Sequence, residues 1–296
     1  MSGAPIVEGE VILSNELVRV SVRPERGGRI ASLESRVDGR EWLVQPRAVE
    51  LGARPAYGST FTGTDHCGWD EMFPTVDACA YPAAPFLGDP VPDHGELWTL
   101  NWECEEQTAT SIDMRVRSDR FGYTFGRTLR LDGPTLRCEY TCDVSGATAL
   151  LWALHPQFSM LEGTRLTLAG KHESMLDTSE PGSPHEVAWG GDLVVERDVE
   201  PGADRMLYLH PGELVDGATL ADPSGSSLEM HWDVSFARYL GIWADYGRYT
   251  KGRVIAVEPT NGFCDDLARA YRNERVTIFT PDEHASWWVE VSVERR

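Results

Sequence analysis

The sequence is short of basic charge: 27 Lys and Arg stand against 47 Asp and Glu, a formal net charge of -20 at pH 7. A surface with that balance repels polyanions, which excludes a nucleic-acid or anionic-membrane partner and leaves a neutral small molecule as the expected ligand. No apolar run approaches the roughly 18–20 residues that a membrane-spanning helix needs. The opening MSGAPIVEGEVILSNELV has no basic start followed by an apolar stretch, so no signal peptide is expected and a cytoplasmic location follows. The six cysteines, at 67, 79, 104, 138, 142 and 264, form no C-x-x-C pair. That suits reduced thiols packed mostly as small apolar side chains.

Familiar catalytic signatures are missing too. No G-x-G-x-x-G joins a strand to a helix, and there is no phosphate-binding G-x-x-x-x-G-K-[ST] and no G-x-S-x-G nucleophile turn. Nucleotide-dependent and esterase chemistry lose their usual support. His66, Asp70 and Glu71, with Cys67 beside them, match no zinc or calcium spacing, so no metal is expected.

What is present is a 296-residue chain, 41% hydrophobic, with no internal period of 20–50 residues and no compositional break. One domain spanning 1–296 is the expectation. Segments that alternate apolar and polar residues recur at 18–22, 111–117, 123–131, 135–144, 165–169, 254–257, 276–279 and 287–293, separated by Gly, Pro, Asp or Asn. This pattern predicts an all-β fold, a large twisted antiparallel β-sandwich with few short helices. One short helix is expected over 265–273, and long irregular loops over 81–94 and 177–191.

Two ionisable residues end apolar runs and precede proline: Leu150-Leu151-Trp152-Ala153-Leu154 leads to His155, and Val254-Ile255-Ala256-Val257 leads to Glu258. Proline cannot donate to a central ladder, so each strand is expected to stop there and leave the His and Glu at a sheet rim or cleft. Partial burial would raise the carboxylate pKa and lower the imidazole pKa, bringing a general acid and base toward neutral pH. The alternative from the residues alone is an ion-paired strand-end Glu and a hydrogen-bonded rim His. The irregular stretch FTGTDHCGWDEMFP supplies Trp69, Asp70 and Glu71 as candidates for a sugar's hydroxyls and C–H face. DHGELWTLNWE adds His94 and Trp98.

The ordered set GGRIASLESRVDGREWL, WDEMFP, DHGELWTLNWE, LHPQF, VEPTNG with DDLARA, and TPDEHASWWVEVSV resembles the aldose 1-epimerase (galactose mutarotase) family, nearly end to end. The resemblance implies a galactose-mutarotase-like supersandwich with the sugar in an open cleft across one sheet, and no cofactor. It implies Glu258 as the base on the anomeric hydroxyl and His155 as the acid on the ring oxygen. His94 is implied as a second histidine near that oxygen, with Trp69, Asp70, Glu71, Trp98 and Gln157 lining the cleft. The hexose-phosphate relatives carry an arginine three residues after the His-Gly turn. Here Trp98 stands there, and with Asp70 and Glu71 nearby an unphosphorylated sugar is favoured. The substrate-binding aspartate is left among Asp192, Asp204 and Asp245. Competing readings are a non-catalytic sugar sensor, or an isomerase or lyase for a sugar acid or sugar phosphate using Arg29, Arg127, Arg238 or Arg248.

Overall fold

The computed structural model describes residues 9–46, 54–63, 67–146, 148–180, 183–190, 193–194, 202–250, 252–280 and 282–295. Two large antiparallel sheets face each other. The first has ten strands, in the order Val11–Ser14, Val18–Arg23, Arg29–Ser35, Trp69–Met72, Ala153–Met160, Arg253–Thr260, Tyr239–Tyr246, Asp204–Tyr208, Ser174–Asp177 and His185–Ala188. The second has nine: Leu193–Val194, Arg165–Leu168, Gly217–Ala221, Ser226–Trp232, His284–Arg295, Thr135–Val144, Tyr123–Asp132, Ser111–Ser118 and Glu103–Gln107. Among the described residues the one α-helix is Leu267–Arg272, capped by Asp266, whose side chain accepts from the Arg269 N–H.

Strands of the second sheet alternate in burial along their length, as in Tyr123–Asp132 and Thr135–Val144. One face packs on the core and the other meets solvent. Inner-face aromatics fill the space between sheets, with Tyr140 and Phe236 both stacked on Trp287. A buried ion pair also crosses this space: Arg127, on Tyr123–Asp132, donates to Glu71, on Trp69–Met72, at 2.9 Å. The same carboxylate accepts from the Tyr140 hydroxyl at 3.0 Å and the Trp152 indole at 2.8 Å.

Ala153–Met160 and Arg253–Thr260 behave differently: nearly every residue is buried, on both faces. They lie at the middle of the first sheet. The expectation that proline ends each of them is corrected here, because both strands run through Pro156 and Pro259. The ladder between them instead opens. Pairing holds at Ala153 with Thr260 and resumes at Gln157 with Ala256, with nothing between. The Asn261 N–H donates to the Trp152 carbonyl. In that register the next bonding positions are Leu154 opposite Pro259 and Pro156 opposite Val257. Each contains a proline, which has no N–H to give, so the seam parts without ending either strand. The expected loop over 177–191 is likewise corrected: His185–Ala188 returns along Ser174–Asp177 as a hairpin at the sheet edge.

Candidate active site

Antiparallel register dictates which side chains share a face and lie side by side. Reading across the first sheet, Asp70 is opposite His155, Gly241 is opposite Glu258, and Tyr208 is opposite Gly241. His155 and Glu258 occupy matching positions in the open seam between them. These residues form one transverse row on the face turned away from the second sheet, since the adjacent Glu71 points the other way, into the core.

Within the row, His155 Nδ1 lies 2.5 Å from Glu258 Oε1, at hydrogen-bond distance. Both residues are almost wholly covered, at 5% and 4% exposure. Burial pushes Glu258 up to about 8; the positive field of His94 opposes this and Asp77 adds to it. Burial pushes His155 down to about 3, helped by His94. Both effects disfavour separate charges. The pair therefore holds a single proton at neutral pH, and Nε2 is the imidazole nitrogen left for a ligand. Gly241 makes room for the carboxylate: a Cβ there would come within 3.3 Å of Glu258 Oε2 and 2.8 Å of the Met206 methyl.

Over this row stands the turn that carries His94. Its backbone is left-handed at both His94 and Gly95, with φ of 58° and 67°. A side chain at 95 would meet the Phe73 carbonyl oxygen at 2.0 Å, so only glycine fits. The His94 ring lies edge-on to His155 at 5.3 Å and stacks on Phe61 at 4.1 Å. Asp93 fixes both partners, with one oxygen 2.8 Å from His94 Nδ1 and the other accepting from the Phe61 N–H at 2.7 Å. Burial would raise the Asp93 pKa, but the His94 hydrogen bond and charge outweigh it and hold the carboxyl below its ordinary value.

At one end of the row Arg29 grips Asp70 with two contacts, 2.9 and 2.8 Å. At the other, the Tyr208 hydroxyl donates to Asp265 at 2.8 Å. Asp265 is pushed up to about 6, by burial first and then by repulsion from Asp77. Beside His155, at 5.6 Å between ring centres, stands the half-buried Trp243.

The two-sheet architecture has counterparts among solved structures. A protein from Synechocystis sp. PCC 6803 superposes with TM-score 0.76 over 100% of this chain and 99% of its own, at 20% identity. A galactose mutarotase-like protein from Lactobacillus casei ATCC 334 gives 0.75 over 97% and 100%, at 18% identity. This chain has the galactose mutarotase-like fold. A galactose mutarotase related enzyme from Lactobacillus acidophilus also shares it, at TM-score 0.72 and 15% identity over 96% of this chain and 97% of that one. No protein-family model and no curated protein matches the sequence.

Within this fold the sequence-derived candidates separate cleanly. His155, Glu258, His94, Asp70 and Gln157 gather on the outward face. Trp69 and Glu71 do not: they alternate with Asp70, point into the core, and are fully buried there. Trp98 supports the turn, its indole N–H shared between the Asp93 and Gly95 carbonyls, while its ring edge meets Phe61. Of the aspartates left open, Asp245 accepts from the N–H groups of Arg248, Tyr249 and Thr250 and so caps a turn. Asp204 pairs with Arg248, and Asp192 lies outside the described residues, as does His66.

Of the arginines named for an acidic ligand, Arg127 is in the core with Glu71, Arg248 is on the surface with Asp204, Arg238 is exposed, and Arg29 is held by Asp70. All six cysteines are free thiols. Among the described residues no group of three or more His, Cys, Asp or Glu is placed to hold a metal ion, and no helix is long and apolar enough to cross a membrane. A separate concavity of about 760 Å³ lies on the second sheet around Trp288, Arg137 and Glu139. It contains none of the row's residues, and its Arg137 is already bonded to Glu139 and Glu290.

Trp243, Phe61, Asp93, Gly241 and Tyr208 were not among the sequence candidates. Register places Trp243, Gly241 and Tyr208, while Asp93 enters as the neighbour of His94 and Phe61 through its N–H bond to Asp93.

Proposed function

We propose that this protein is an aldose 1-epimerase, interconverting the α and β anomers of a free, unphosphorylated sugar. The observation that carries the reading is the 2.5 Å contact between His155 Nδ1 and Glu258 Oε1 in an open seam of the sheet. A general acid and a general base that share one proton can exchange it with two oxygens of one substrate.

The chemistry balances with these two groups alone. The shared proton moves to Nδ1, leaving Glu258 ionised. Glu258 then takes the proton of the anomeric hydroxyl, the O–H electrons form the C1 carbonyl, and the bond from C1 to the ring oxygen breaks. That oxygen receives the Nε2 proton of His155. The carbonyl end turns about the C1–C2 bond, and the same transfers in reverse close the ring on the other face. His94, edge-on to His155, adds a nitrogen beside the reacting oxygens. Proton inventory at the end equals that at the start, so each turnover leaves the pair ready for the next, and no cofactor enters.

The preference for an unphosphorylated sugar rests on charge. Arg29 is held by Asp70 in two contacts, Trp98 occupies the position that suits a phosphate-binding arginine, and Asp70 and Asp93 surround the row with acceptors. A phosphate placed here would be desolvated beside carboxylates. Proton NMR on freshly dissolved α-anomers of glucose, galactose, other aldoses and glucose 6-phosphate tests the reading against the uncatalysed rate. Acceleration with a neutral aldose and none with the phosphate is expected; acceleration of the phosphate alone overturns the substrate class, and acceleration of no sugar overturns the activity.

A further inference from the structure

A second row lies beside the first on the same face of the sheet. Gln157 is paired with Ala256, and Ala256 with Trp243. Alternation puts Gln157 on the same face as His155, two residues along the strand, or ~6.6 Å away. That displacement is on the order of a pyranose's reach from its anomeric carbon to its far hydroxyls plus one hydrogen bond. The row is an amide, a small floor and an aromatic wall. Gln157 is fully buried, yet neither its side-chain nitrogen nor its oxygen has a hydrogen-bond partner. Burial of an amide with donor and acceptor both unmet is destabilising, and proteins keep such groups where something else meets them. Asp70, His155, Glu258 and Tyr208 in the first row are each already bonded.

We infer that Gln157 is the specificity-determining residue of this cleft, binding two adjacent free hydroxyls at the end of the sugar remote from C1. A carboxamide presents an acceptor and a donor side by side, which matches a vicinal diol, where each hydroxyl can both give and accept. The C–H face of the ring then rests against Trp243, with Ala256 leaving the hollow between. The substrate class narrows to aldopyranoses unsubstituted at those positions; 3- or 4-deoxy and O-alkylated forms leave the amide buried and unpaired and are rejected. The inference rests on the aldose reading of the same site.

Its test is a binding titration of the tightest-binding aldose and its 3-deoxy and 4-deoxy analogues, on wild type and on Gln157→Met, with thermal unfolding of both proteins. On wild type at least one analogue should bind about tenfold more weakly than the parent, and on Gln157→Met parent and analogues should fall within about twofold of each other. The variant's melting temperature should not fall, because no protein hydrogen bond is lost. Wild type that binds the deoxy sugars as well as the parent overturns the inference, and that measurement stands even if the variant does not fold. A variant that melts lower and still discriminates also overturns it, since the amide then serves the protein's own interior. Discrimination by Gln157 without any rate acceleration sinks the epimerase reading alone; acceleration with discrimination unchanged in Gln157→Met sinks this inference alone.

Discussion

His155 and Glu258 are cross-strand partners in the gap of the first sheet's central ladder, where pairing stops after Ala153 with Thr260 and resumes at Gln157 with Ala256. Leu154 faces Pro259 and Pro156 faces Val257, so each proline takes one of the two possible hydrogen bonds from the pair on either side. The two functional groups are adjacent because the register makes them so, and the seam is open because of the residue that follows each. The sequence pattern His-Pro and Glu-Pro thus sets proximity and access together.

The shared proton has a stability signature. Glu258 is raised from 4.5 to about 8 and His155 is lowered from 6.5 to about 3. Unfolded, the two groups hold two protons below 4.5, one between 4.5 and 6.5, and none above; folded, they hold one from about 3 to about 8. The pair's contribution to stability therefore rises with pH from about 3 to 4.5, is flat to 6.5, and falls from 6.5 to about 8. Melting temperatures across pH for wild type, minus those of the His155→Ala/Glu258→Gln double variant, should trace that plateau. A difference that stays level or grows from pH 6.5 to 8 would mean that the folded pair does not keep its proton up to about 8.

The same proton count governs rate. Catalysis needs one proton on the pair, so kcat/KM should stay level through the neutral range and decline above about 8. A limb near 6.5, the ordinary histidine value, would show that His155 titrates on its own.

Glu71 and Arg127 answer to the core. Arg127→Met leaves a buried carboxylate without its cation and should cost about 3–5 kcal/mol, read by denaturant unfolding. The fraction that remains folded should retain wild-type kcat. A selective loss of kcat with stability intact would move Glu71 into the site.

Gly241 is a test of placement. Adding a methyl pushes on Met206, whose end is flexible, and on Glu258 Oε2, which has the His155 bond to keep. Gly241→Ala should lower kcat by about tenfold to a hundredfold with KM and melting temperature little changed. Unchanged kcat would mean that the carboxylate has more freedom than the row allows it.

Much of this was legible in the sequence, and the limits have physical causes. Alternating strands such as 123–131 and 135–144 read correctly because one face of each is solvated, so period two survives in the composition. His155 and Glu258 stood out because an ionisable residue after an apolar run is costly and so informative. Pro156 and Pro259 misled, since a missing N–H can open a seam as well as end a strand. Trp69, Asp70 and Glu71 looked like one cluster, but a strand sends neighbours to opposite faces, and strand character over Trp69–Met72 was hidden by the irregular residues around it. Trp243 was invisible for a different reason. Its place beside His155 depends on register between Tyr239–Tyr246 and Arg253–Thr260, which no local pattern encodes.

The central claim is that His155 and Glu258 act as one proton-sharing unit on an aldose. Exchange NMR between the α and β resonances of the responding sugar measures it directly, with wild type, His155→Ala and Glu258→Gln at equal concentration and neutral pH. Wild type should accelerate exchange, and each variant should lose about 10²–10⁴ of that acceleration while the sugar's binding, read in the same tubes, stays within a few fold. A Glu258→Gln protein that binds the sugar and exchanges it at the wild-type rate would contradict the account.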